Sequence, residues 1–162
     1  DGCILSDPAR DILKITVVNR YTPDAKPALG FVRGFGLKEG ALASSVAHDS
    51  HNIVAVGTSD EALCAAVNAV IAAKGGISAS DEAGNARVLA LPIAGLMSQS
   101  DGYTLAREYA ELDAWTKDVL GCTLRAPFMV LSFLALPVIP SLKMTDLGLF
   151  DVEQFGFVEV VE

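Results

Sequence analysis

The two histidines of this chain, His48 and His51, occur together in "AHDSHN", with Asp49 and Ser50 between them and Asn52 following. Imidazole titrates near neutral pH, so a pair of them beside a carboxylate and an amide suits proton handling or recognition of a purine edge. On that reading His48, Asp49 and His51 are the catalytic candidates, and Ser50 and Asn52 the substrate-binding ones. Neutral imidazoles also bind metals, but two or three donors from one turn fall short of a closed four-coordinate site. A third reading is a polar turn in which Asp49 and Asn52 hydrogen-bond neighbouring backbone. The residues alone leave all three open.

Other chemistry is sparse. No GxGxxG follows a strand and no GxxxxGK[ST] exists, so phosphate cradles are absent; "GFVRGFG" is Gly-rich without that spacing. HExxH, the zinc-deaminase pair H-x-E with P-C-x-x-C, and the GxSxG elbow are also missing. Cys3, Cys64 and Cys122 lack CxxC spacing, which argues against a zinc ribbon or a disulfide framework and for a reducing cytoplasm. Cys64, among alanines, reads as a small core residue, Trp115 as a contact edge or half-buried flank, and Glu111, Asp113, Lys117 and Asp118 as a solvated face.

The elements that must position the histidine segment follow from apolar periodicity. "DILKITVVNRY" reads as a first strand, "TPDAKPALG" as a loop and "FVRGFGL" as a second strand. "GALASSVAH" and "HNIVAVGT" read as strands facing each other across Asp49-Ser50, with His48 opposite His51, Val46 opposite Ile53 and Ser44 opposite Ala55. Both faces are small or apolar, so this ribbon is expected between two layers. Asp-Ser is a poor two-residue turn, which leaves room for a wider loop.

Thr58 to Glu61 match a capping box opening an alanine-rich helix that runs to Lys74 and stops at Gly75-Gly76. "GISAS" and "ARVLALP" flank the turn "DEAGN" as a hairpin. "PIAGLMS" reads as a short helical turn, and Ser100 as the cap of a helix from about 101 to 120 with Leu105, Tyr109, Leu112 and Val119 as its apolar stripe. A short buried helix begins at Pro127, "TDLGLFD" is a turn, and 155–161 is a last strand. Strands and helices mix without strict alternation. The expected fold class is α+β, layered mixed or antiparallel sheets packed with helices in a single domain over 1–162.

The chain has 162 residues, enough for one real core, of which 51% are hydrophobic and 20% charged. That excess predicts surface covered by another domain or a second copy, hence a homo-oligomer or a docked unit. A net charge of −8 argues against nucleic acid and anionic membranes. The run "FMVLSFLALPVI" is shorter than the ~20 residues that span a bilayer. Position 1 is Asp rather than Met, and with no visible leader the chain reads as a fragment.

Three segments carry a resemblance: "GFVRGFGLKEGALASSVAHDSHNIVAVGTSDE", "LPIAGLMS" and "PFMVLSFLALPVIPSLKMTDLGLFDVEQFGFV". From about Asp11 to Val158 the chain resembles the C-terminal domain of bacterial-type adenine deaminases of the amidohydrolase superfamily. The resemblance implies a larger enzyme converting adenine and water to hypoxanthine and ammonia. Its catalytic barrel precedes this domain and holds manganese or iron, whose bound hydroxide attacks C6 of the purine. None of the barrel's metal-binding motifs is present, so the fragment is expected to carry no metal and to be inactive alone. Its partners would be the barrel of the same polypeptide and, through it, adenine. A scaffold or oligomerisation domain without catalytic side chains is the rival reading, and an independent metal module at His48 and His51 a third.

Overall fold

A computed structural model describes residues 4–161. Its centre is a six-stranded sheet, antiparallel throughout, in the order β2-β1-β4-β3-β5-β6. The strands are β1 (Leu13–Val18), β2 (Ala28–Val32), β3 (Ala41–Ser44), β4 (Ile53–Gly57), β5 (Gly76–Ser80) and β6 (Ala86–Ala90). Helix α1 (Asp60–Ala72) covers one face; α2 (Gly102–Asp118) and α3 (Pro127–Phe133) lie on the other. A three-stranded antiparallel sheet, β7 (Leu142–Thr145), β8 (Gly148–Asp151) and β9 (Gly156–Phe157), packs beside β1 and β2. This is the α+β class expected.

Strands β3, β4 and β5 are buried along their whole length. They lie between layers, which is why they read as unbroken small or apolar runs rather than alternating ones. The two faces use different sizes. Toward α1 the sheet presents Ala41, Ala43, Ile53 and Ala55, and the helix answers with Leu63, Val67 and Val70. Alanines let the helix approach closely, and each fully buried Leu or Val stabilises by about 1.5–3 kcal/mol. Toward α2 and α3 the same strands present Leu42, Val54, Val56, Ile77 and Ala79 against Leu112, Phe128 and Leu131.

The strand register differs from the expected one. Ala43 pairs with Ala55 and Ser44 with Val54, one residue away from Ser44 opposite Ala55, and a one-residue slip exchanges the faces. The ladder with β4 ends at Ser44, whose hydroxyl turns back on the chain, accepting from Val46 N at 2.9 Å and donating to Val46 O at 3.2 Å. His48 and His51 therefore lie in a loop beyond the strands rather than opposite each other in a ladder.

Other boundaries move for local reasons. Strand β2 starts at Ala28, inside the stretch read as a loop, and ends before Gly34, whose φ of 100° breaks the extended run. The backbone N–H groups of Gly34 and Gly36 both donate to the Asp11 carboxylate. The α1 cap is Ser59, accepting from Ala62 N, not Thr58. The carboxylate that ties down this end is Glu82 of the β5–β6 hairpin, which accepts from Gly40 N at 3.0 Å and from the hydroxyls of Thr58 and Ser59. Asp101 caps α2 in place of Ser100, by accepting from Tyr103 N and Thr104 N. Within α2, Leu112 and Thr116 are the buried residues; Tyr109 is partly exposed, and Val119 lies exposed just past the helix end.

"PIAGLMS" is a non-helical reversal, bridged from Ile93 to Met97, with Ala94 and Gly95 at positive φ. Helix α3 is buried on one side only, since Met129, Val130 and Phe133 are exposed. "TDLGLFD" contributes to the β7–β8 hairpin rather than being a turn alone, and the last strand is reduced to Gly156–Phe157. Cys64 is exposed while Cys122 is buried; Cys3 lies outside the described residues. Asp113 is not fully solvated but pairs with Lys117 at 2.5 Å. Trp115 is half-buried, beneath the Arg87 guanidinium.

Candidate functional site

The loop 45–52 leaves β3 and returns through β4 at one end of the main sheet, and each of its ends is pinned. Ser45 is fully buried; its hydroxyl accepts from Gly76 N at 2.8 Å and donates to Gly95 O at 2.6 Å. His48 N donates to Ser132 O of α3 at 2.9 Å, and His51 N to Ala47 O at 2.7 Å. Asn52 is 2% exposed, and its side-chain oxygen accepts from Arg20 N at 3.3 Å. Arg20, just past the end of β1, reaches across: its Nε donates to His51 O at 2.7 Å and its Nη2 to Ala94 O at 2.5 Å. The hydroxyl of Tyr21 donates to Ser50 O at 2.8 Å.

This frame brings the two imidazoles together, with ring centres 5.8 Å apart, and lays His48 on Phe133 at 5.0 Å. Both rings are half-buried, whereas Asp49 and Ser50 form the exposed tip. Nδ1 of His51 accepts from the backbone N–H of Ala47 at 3.3 Å. A backbone N–H can only donate, so Nδ1 keeps its lone pair and neutral His51 carries its proton on Nε2. Burial holds the His51 pKa below the ordinary 6.5; the charges of His48 and Arg20 act in the same direction, against Asp49. His51 is thus a neutral hydrogen-bond donor at neutral pH.

Beside the loop, an open groove of about 490 Å³ is lined by residues of α2, α3 and the sheet. His48 lines it together with Val46, Leu105, Tyr109, Phe128 and Met129. The walls are mainly apolar, so the groove suits packing by another surface better than capture of a charged ligand. Among the described residues, no group of three or more His, Cys, Asp and Glu side chains could hold a metal ion. Nor is any described helix long and apolar enough to cross a membrane.

Of the sequence candidates, His48 and His51 share a site, Asp49 and Ser50 stand at its tip, and Asn52 belongs to its frame. Arg20, Tyr21 and Gly95 were not legible as site residues. Their partners lie far along the chain, and a single Arg-Tyr pair after a strand carries no periodic signal.

Fold and site define a class: an antiparallel sheet sandwiched by helices that presents one polar loop beside an apolar groove, with no metal cluster among the described residues. Residues 1–156 match the adenine deaminase C-terminal domain, and the chain belongs to that family. It is 58% identical over 159 residues to an adenine deaminase of Salinibacter ruber, covering 98% of this chain and 29% of that protein. An adenine deaminase of Sulfurovum sp. is 57% identical over 154 residues, covering 95% of this chain and 28% of that protein. One from Archaeoglobus fulgidus is 50% identical over 154 residues, covering 95% and 27%. The chain thus spans less than a third of the length of these relatives.

Proposed function

We propose that this chain is the accessory C-terminal domain of a metal-dependent adenine deaminase, an enzyme converting adenine and water to hypoxanthine and ammonia. The observation that carries the reading is the match along nearly the whole chain to relatives named adenine deaminase, of which it covers 27–29%. The catalytic barrel would lie in the remaining part of the polypeptide and hold the metal, manganese or iron. When bound there, that ion supplies a water of lowered pKa as nucleophile.

This domain's own part is narrower. The loop 45–52 would reach the mouth of the barrel's site, where the Nε2–H of His51 can donate to a ring-nitrogen lone pair of the purine. His48 and Asp49, beside it, can pass a proton to or from solvent. Ser50 at the exposed tip is a further substrate contact, whereas Asn52 acts through the loop it holds. The apolar groove beside His48, with Met129 and Phe133 exposed on α3, would pack against the barrel. A purine-salvage enzyme of this kind belongs in the cytoplasm, and the free Cys64 and Cys122 suit a reducing compartment.

A second reading, a scaffold that joins copies of the enzyme, is favoured by the apolar side chains left exposed elsewhere, Leu29, Ile71 and Phe157 among them. Ammonia release from adenine tests the first reading. This chain supplied with Mn(II) or Fe(II) is expected to release none, and the longer polypeptide to release it. Turnover by this chain alone would overturn it.

A further inference from the structure

Arg20 makes contacts that neither the core nor the sheet requires. Its backbone N–H holds Asn52, and its guanidinium spans two separate carbonyls, His51 O at 2.7 Å and Ala94 O at 2.5 Å. The guanidinium also lies over the Tyr21 ring at 5.0 Å, and Tyr21 in turn holds Ser50 O. The reversal at 94–95 is shaped around it: a Cβ on Gly95 would stand 2.5 Å from Arg20 Nη1. Three segments distant in the chain, the end of β1, the histidine loop and the 92–97 reversal, therefore meet on one side chain.

We propose that Arg20 is the positioning residue of the histidine site, fixing the backbone of His51 so that its imidazole stays locked against the Ala47 N–H with its neutral proton on Nε2. His51 has φ of 53°, a left-handed conformation that a non-glycine residue holds only when its surroundings fix it. The guanidinium bond to His51 O provides that restraint at the residue itself. A planar fork can satisfy two carbonyls at once in a fixed geometry; a lysine ammonium on a flexible stem keeps the charge but not the fork. The charged groups facing His51 are Arg20, His48 and Asp49, and Lys74 lines the same small pocket as Arg20. The inference rests on the proposed function only for its catalytic consequence; the positioning itself is a property of this chain.

The test compares Arg20→Met and Arg20→Lys in this chain by NMR. In Arg20→Met the amide protons of Ala47 and His51 are expected to exchange about tenfold faster, and the His51 titration midpoint to rise toward its ordinary value. Arg20→Lys is expected to keep the lowered midpoint in part while still losing amide protection. Unchanged exchange and an unchanged midpoint in a folded Arg20→Met protein would overturn the proposal. In the longer polypeptide, Arg20→Met is expected to lower kcat about tenfold with KM within about twofold. If the NMR signatures move and kcat does not, Arg20 still positions His51, and it is the catalytic role of the loop that fails.

Discussion

The backbone N–H of Ala47 donates to Nδ1 of His51 across 3.3 Å, so the imidazole keeps its neutral proton on Nε2, on the far side of the ring. A residue near the far end of an eight-residue loop is thereby given one tautomer and one orientation. That is the kind of definition a hydrogen-bond donor needs and a random polar turn lacks.

The first prediction concerns pH. The His51 pKa is held below 6.5, so between the folded and unfolded values the unfolded chain binds more protons, and stability rises with pH. The contribution is fully present above the ordinary value and is lost as pH falls through the lowered one. Denaturant unfolding followed across that window should show the slope in the native chain. His51→Gln should flatten it.

The start of α1 offers a second check. Ser59 caps the helix and also donates to Glu82 at 2.6 Å. Ser59→Ala should cost about 1 kcal/mol, or roughly 2–4 °C in Tm for a chain of this size. Burial pushes the Glu82 pKa upward, but the bonds from Ser59, Thr58 and Gly40 outweigh it and hold the carboxyl below its ordinary 4.5. Its stabilisation is present above that value and lost as pH falls, so Glu82→Gln should remove part of the acid sensitivity of unfolding.

Gly95 supplies a third. Alanine there places a Cβ against the Arg20 guanidinium at a backbone φ of 77°. The side chain's far end can swing away, so Gly95→Ala should fold while displacing the guanidinium. Its amide-exchange pattern around Ala47 and His51 should resemble that of Arg20→Met.

Much of this architecture was legible in the residues. The buried strands β3 to β5, the alanine-rich α1 and the "DEAGN" hairpin follow from periodicity and turn chemistry. The misplaced features were decided by contacts remote in sequence. The β3–β4 ladder ends at Ser44, whose hydroxyl turns back on Val46, Glu82 of another hairpin secured the α1 end, and Asp101 outcompeted Ser100 by a single position. For the site, residue type marked His48 and His51 at once. The lock on His51 could not be read, because Arg20, Asn52 and Gly95 converge only after the sheet has assembled.

The central claim is that this domain contributes a positioned polar loop to a reaction centre built elsewhere in a longer enzyme. The most direct measurement is adenine turnover by the longer polypeptide carrying His48→Gln or His51→Gln. The account predicts that His51→Gln lowers kcat/KM by about tenfold or more, the range of a lost proton-handling or donor contact, with the fold intact. Wild-type kcat and KM in both variants would contradict it.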